Sequence, residues 1–166
     1  MAIRMIFISL LLMAVASGAH CQSPNYRHYG VNQGLPSSEV YHVFQDSKGF
    51  IWFATNMGVS RFDGEDFQNF DVEDGLPDNT VFEIYEDYRG RIWFMTMNLE
   101  LAYYQQGKIQ RYPYNEQLKQ AIGNNRELYQ KCGFHVDSAD NVYISIRSRG
   151  LYQIDSTGLV EKLTND

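Results

Sequence analysis

Residues 34–55 read GLPSSEVYHVFQDSKGFIWFAT, and residues 75–96 read GLPDNTVFEIYEDYRGRIWFMT. Gly34-Leu35-Pro36 returns as Gly75-Leu76-Pro77. Asp46, Gly49, Ile51, Trp52, Phe53 and Thr55 return as Asp87, Gly90, Ile92, Trp93, Phe94 and Thr96, every one at an offset of 41 residues. The chain of 166 residues has 2 tryptophans, and both fall in this register, so the match is duplication and not chance. A third, worn copy starts at Asp137 and puts Tyr143 in the tryptophan place, without the Gly-Leu-Pro opening. Repeats of about 40–50 residues built from short strands indicate the four-stranded blades of a β-propeller.

One repeat decomposes into four strands. Residues 40–45 form a first run, and Asp46-Ser47-Lys48-Gly49 a turn in which the carboxylate accepts from backbone two residues on. Residues 50–55 are apolar at odd and even positions alike, so this strand needs cover on both faces. Neighbouring blades supply that cover. Residues 58–62, the Asp63-Gly64 turn and residues 66–70 complete the blade. The second blade runs from Val81 to Tyr112, with its last hairpin turning at Gln106-Gly107. Before the third, Asn115 is expected to cap a short helix that reaches Ala121 and stops at Gly123. Strands near 134–136, 142–146, 150–154 and 159–163 follow. Tyr26-Arg27-His28-Tyr29 aligns with Phe67 to Phe70 and reads as the outer strand of a preceding blade.

The expected organisation is a signal peptide over 1–21, an incomplete blade's outer strand over 22–33, and blades over 34–74 and 75–114. An insertion over 115–127 and a degenerate blade over 128–166 complete it. The fold class is all-β: a partial propeller of about three blades, a fragment of a larger closed ring, since rings close at roughly four to eight.

Arg4 followed by the largely apolar 12-residue stretch Met5 to Ala16 has the form of a secretory leader, too short to span a bilayer. Cleavage fits after Ala19 or before Gln22; a lipoprotein reading through Cys21 is weakened by His20. Without the leader, the sole remaining cysteine is Cys132, which reads as a small buried hydrophobe, so no internal disulfide supports the fold. No second stretch is long and apolar enough to cross a membrane, so the chain reads as exported to the periplasmic side. Aromatics at 14% and Pro at 4 residues favour strands. A net charge of −6 disfavours a phosphate-backbone partner, and no nucleic acid is expected.

The pattern Gly34-Leu35-Pro36…Asp46-x-x-Gly49-x-Ile51-Trp52-Phe53-x-Thr55, with Gly58-Val59-x-Arg61-Phe62-Asp63-Gly64, closely resembles the two-component regulator propeller repeat. The likeness covers 34–112 well and 134–163 weakly. It implies an exported propeller that senses a ligand, a glycan in some relatives, ahead of a β-sandwich, a membrane helix and a cytoplasmic histidine kinase in a dimeric Bacteroidetes-type sensor. The wording of residues 75–93 is closer to relatives with a LytS-like kinase. This sequence carries none of those later parts, so signalling output is implied for a parent protein. The aspartate turn also resembles the Asp-box of sialidase propellers, where it is structural.

The residues offer no convincing catalytic set, cofactor site or metal site. His42 has Glu83 as its repeat mate, which suits a solvated strand position better than a general base. His28 and His135 lack partners at metal spacing. The acidic run Asp63, Glu65, Asp66, Asp71, Glu73, Asp74, Asp78 lacks the loop spacing of a calcium cage. Asp46, Gly49, Trp52, Asp87, Gly90 and Trp93 are assigned to the structural repeat motif, with the indoles between blades. Tyr88 and Tyr114, on connecting loops, are the better ligand candidates. Rival readings are a secreted glycan- or protein-binding propeller and, behind it, a propeller glycoside hydrolase, which needs two carboxylates across one sugar bond.

Overall fold

The computed structural model describes residues 26–123, 132–147 and 149–164. The leader over 1–21 and the stretch 124–131 lie outside the described residues. Among the described residues, twelve strands form three four-stranded antiparallel sheets, each a simple up-and-down meander. Blade one is β1 (Val40–Gln45), β2 (Ile51–Thr55), β3 (Gly58–Phe62) and β4 (Phe67–Phe70). Blade two is β5 (Val81–Glu86), β6 (Ile92–Thr96), β7 (Leu101–Gln105) and β8 (Lys108–Arg111). Blade three is β9 (Gly133–Val136), β10 (Val142–Ile146), β11 (Gly150–Ile154) and β12 (Val160–Lys162). The strands expected within the three blades are all present, with ends shifted by a residue or so.

Antiparallel connection puts the aspartate turns after β1, β5 and β9 at one end of the blades. The β2–β3 turns and the crossovers between blades lie at the other. In blades one and two the innermost pair carries the same irregularity. Register slips between Val40 and His42, and again between Val81 and Glu83. One extra residue, Tyr41 or its mate Phe82, is thereby bulged out of each ladder, which re-aims its side chain.

The core consists of two seams, one between each pair of blades. In the first, Trp52, Ala54 and Val59 of blade one meet Ile84, Ile92, Phe94 and Ala102 of blade two, with Phe70 and Leu76 closing the outside. In the second, Trp93, Met95 and Leu101 meet Val142, Ile144, Ile146 and Ile154. β6 is buried at all five positions, as its two-sided apolar sequence requires. Leu76 of the second Gly-Leu-Pro is fully buried in the first seam. Gly58 marks where backbones come closest. Its φ is +104°, and a Cβ there would stand 2.1 Å from the Phe70 carbonyl oxygen.

The inserted helix α1 spans Asn115–Ile122 and buries Leu118 and Ile122 in the second seam. Its N-cap is Tyr114, not Asn115. Asn115 lies inside the first turn and is buried. Its amide donates to the Leu101 carbonyl at 2.9 Å and its Oδ1 accepts from the Leu101 N–H at 2.8 Å. A bidentate bond to the start of β7 displaces the cap, because a buried amide must satisfy both its donor and its acceptor. At the other end Gly123 stops the helix, its N–H bonding the Lys119 carbonyl.

Residues 26–29 are not a strand. The ladder they would extend has no member among the described residues, so their backbone has nothing to pair with. Tyr29 nonetheless rests on Phe62 and Phe67, with ring centroids 4.9 and 5.7 Å away. Phe70, its repeat mate, rests on Tyr104 at 5.5 Å in the same manner.

Candidate functional site

The three aspartate turns are built alike. Asp46 Oδ1 accepts from the N–H groups of Lys48 and Phe50 at 3.0 and 2.9 Å, while Oδ2 accepts from the Trp52 indole at 2.8 Å. Asp87 does the same with Arg89, Arg91 and the Trp93 indole, at 2.9, 3.0 and 2.7 Å. Asp137 does it with Ala139 and Asn141, and Tyr143 reaches its Oδ2 through the phenol at 3.2 Å. One carboxylate thus closes the turn and pins an aromatic ring, which in blades one and two fills the seam. Gly49 and Gly90 supply the left-handed turn residue, with φ +91° and +72°.

In the third copy that glycine is Asp140, at φ +63°. Aspartate tolerates this region better than most side chains. Its carboxylate reaches back to blade two, taking the Arg91 Nη2 at 2.5 Å and the Arg89 Nη2 at 2.6 Å. Arg91 Nε also pairs with Asp87 Oδ2 at 2.5 Å, and its guanidinium lies 5.0 Å from the Trp93 ring centre. Burial pushes the Asp87 carboxyl up, but the bonds from Trp93 and Arg91 outweigh it and hold it below the usual carboxylate range. The first seam is tied differently. Glu86 accepts from the Ser47 N–H at 2.7 Å and its hydroxyl at 2.6 Å.

At the inner strands, equal positions of neighbouring blades face one another. His42 is half-buried, not solvated, because β1 and β5 run side by side. Its Nδ1 stands 3.0 Å from Glu83 Oε2 and 3.0 Å from the Ile84 amide nitrogen. That nitrogen thus lies within reach of both a donor, the Ile84 N–H, and an acceptor, the Glu83 carboxylate. Beside them, the bulged Tyr41 and Phe82 rings meet edge to face at 5.0 Å. Tyr41 remains 40% exposed and donates to Glu39 at 3.0 Å. An exposed Tyr41 ring backed by the half-buried Phe82, with a carboxylate at its rim, is an arrangement that can hold a flat or ring-shaped ligand through stacking and one polar anchor.

The other candidates are placed as follows. Tyr88 is exposed on the second aspartate turn, with the Arg89 guanidinium 5.1 Å from its ring centre. Tyr114 is a packing residue, bonding the Ser156 carbonyl at 3.1 Å and standing against Tyr112. His135 lies edge-on to Tyr85. The carboxylates of Asp63, Asp71 and Asp78 accept backbone N–H bonds in their own turns. Among the described residues no three His, Cys, Asp or Glu side chains converge as metal ligands, and no helix is long and apolar enough to cross a membrane. Cys132 is buried in the second seam, which pushes its thiol up.

The bulged pair and the Asp140 bridge escape sequence reading. A bulge leaves no residue signature, whereas aspartate in a glycine place was a visible anomaly.

The family model described as two component regulator propeller matches residues 34–57 and 75–98. Both modules thus match the two component regulator propeller repeat. No curated protein matches the chain. Among solved structures, the extracellular domain of the hybrid two component system BT3049 from B. thetaiotaomicron is similar. It has 23% identity and a TM-score of 0.60 over 83% of this chain and 20% of that one. The corresponding domain of the hybrid system BT4673 from the same organism shares 13% identity at a TM-score of 0.62, over 90% of this chain and 19% of that one. These likenesses establish the propeller fold. The chain spans about a fifth of the length of the solved chains it matches.

Proposed function

We propose that this chain is the ligand-sensing propeller portion of an exported receptor in a two-component histidine kinase system, without enzymatic activity of its own. The observation that carries the reading is the doubled regulator-propeller repeat behind a leader-like N-terminus. The ligand meets the propeller at the inner strands, where the exposed Tyr41 ring, backed by Phe82, stands beside the Glu39 carboxylate. Binding there, or docking of the propeller on its neighbours, shifts a dimer equilibrium and so reaches a kinase across the membrane. The remaining blades, a β-sandwich, a membrane helix and the kinase belong to the parent protein. The test is the genomic locus: the reading frame carrying this repeat should continue into a propeller, a membrane helix and a kinase. A locus with no such frame refutes the sensor assignment.

A secreted binding propeller is the second reading, since the Tyr41–Phe82 pair would serve an adhesive surface equally well. Glycan-array binding by a protein whose locus encodes no kinase would favour it. Turnover of a bound glycan would point instead to a hydrolase.

A further inference from the structure

Twice in this fold a guanidinium joins an aromatic ring to a carboxylate. On the second aspartate turn, Arg89 lies 5.1 Å from the Tyr88 ring centre, donates to the Tyr88 hydroxyl and pairs with Asp140 at 2.6 Å. Beside it, Arg91 lies 5.0 Å from the Trp93 ring centre and pairs with Asp87 and Asp140, each at 2.5 Å. The electron-rich face of a ring and a neighbouring anion attract the same cation, and a flat guanidinium meets both at once.

Tyr41 and Glu39 repeat the ring and the carboxylate of that arrangement at the start of blade one, and both are exposed. Among the described residues, no Arg or Lys lies over the Tyr41 ring or pairs with Glu39. The place is held in shape from three sides. Buried Ser37 fixes the approach to β1, its hydroxyl accepting from the Glu39 N–H at 3.0 Å. The register slip turns Tyr41 out of the ladder, and Phe82 stands edge-on to it at 5.0 Å. The phenol donates to Glu39 Oε2, a bond that holds it above its ordinary value and keeps its proton in place. With that proton committed, the polar positions left over are Glu39 Oε1 and a lone pair of the phenol oxygen, and both are acceptors. Acceptors beside a ring face call for a donor that carries positive charge. The net charge of −6 favours the approach of such a ligand.

We propose that Tyr41 and Glu39 bind an organic cation with a guanidinium-type head, which lies on the Tyr41 ring and donates to the Glu39 carboxylate. The contact copies the one that Arg89 makes with Tyr88 and Asp140 inside the protein. This inference rests on the reading of Tyr41 as the ligand site and adds the chemical class of the ligand. A neutral sugar would stack on the same ring but draw nothing from the charge of the carboxylate.

The experiment titrates the full chain with methylguanidinium, and with methylurea as its uncharged isostere, each followed by ligand-observed NMR. Methylguanidinium should bind with a Kd of about 1–10 mM, and methylurea about tenfold or more weakly. Tyr41→Leu and Glu39→Gln should each weaken methylguanidinium by about fivefold or more. Tyr41→Phe keeps the ring face and frees the carboxylate, so its binding should stay within about twofold of the unaltered chain. Where Tyr41→Leu disturbs folding, Glu39→Gln decides, since Glu39 is exposed and its carboxylate meets Tyr41 alone among the described residues. Methylguanidinium binding that neither Tyr41→Leu nor Glu39→Gln weakens belongs to the acidic surface at large and overturns the proposal. Equal binding of both probes, lost in Tyr41→Leu, overturns the cationic class and leaves Tyr41 as the ligand site. Binding of neither probe overturns the class, and a glycan array that is silent as well overturns the site with it.

Discussion

Replacing each indole by phenyl should have unequal effects, although the two tryptophans occupy identical repeat positions. Asp46 and Asp87 each keep two backbone N–H bonds on Oδ1 when the ring is changed. The difference lies at Oδ2. In blade one Trp52 is its partner, whereas in blade two Arg91 Nε also holds it at 2.5 Å. Trp52→Phe therefore strands a buried carboxylate oxygen. Losing a hydrogen bond to a charged group costs about 1.5–3 kcal/mol, and the smaller ring adds about 1 kcal/mol of lost burial. Trp93→Phe loses the same ring area but leaves Asp87 paired, for a total of about 1.5 kcal/mol. At about 2–4 °C per kcal/mol for a domain of this size, Trp52→Phe should lower Tm by about 9 °C and Trp93→Phe by about 4 °C. Thermal melts of the two variants under one buffer decide the matter. An equal loss, or a larger one for Trp93→Phe, would refute the claim that Arg91 shares the load at the second turn.

Tyr112 holds a buried hydroxyl that has no hydrogen-bond partner, and burial pushes its phenol well up. Phe70 stands at the same repeat position, so Tyr112→Phe should be neutral or raise stability by about 1 kcal/mol in urea unfolding. Gly58→Ala drives a methyl into the Phe70 carbonyl at a positive φ and should cost about 3 kcal/mol or more, read as lost cooperativity or a steep fall in the urea midpoint. Asp140→Gly relaxes the turn but removes both arginine contacts. A net loss of about 1–2 kcal/mol that vanishes when Arg89 and Arg91 are also replaced would show that the bridge outweighs the turn. Because the Asp87 carboxyl is held low in the folded chain, its contribution is present above the unfolded carboxylate value of about 3.9 and is lost as pH falls through the lower folded value. Asp87→Asn should thus flatten the acid limb of the stability curve; an unchanged limb would contradict this.

Much of the architecture was legible because strand faces announce themselves. The two-sided apolar run at Ile51 to Thr55 required a neighbour on each side, and its copy at Ile92 to Thr96 is buried throughout. The aspartate turns were legible because carboxylate, glycine and indole recur at one spacing. Asn115 misled because an N-cap signature reads only local backbone, while its partner Leu101 comes from another element. Tyr26 to Tyr29 misled for the opposite reason, since likeness to Phe67–Phe70 supplies side-chain packing but no ladder to join. The Tyr41–Phe82 pair was hidden behind a register slip, which depends on how β1 and β5 meet their partners and not on the identity of either ring.

The ties between blades also encode order. Ser47 with Glu86 joins the first pair, and Arg89 and Arg91 with Asp140 join the second. Near-identical modules placed in tandem invite misdocking during folding, each surface fitting a neighbour it should not meet. Here blade three misdocked on blade one would set the Asp140 carboxylate beside Ser47, away from both guanidinium groups. Distinct fastenings at otherwise interchangeable boundaries let a repetitive polypeptide assemble its parts in a single sequence.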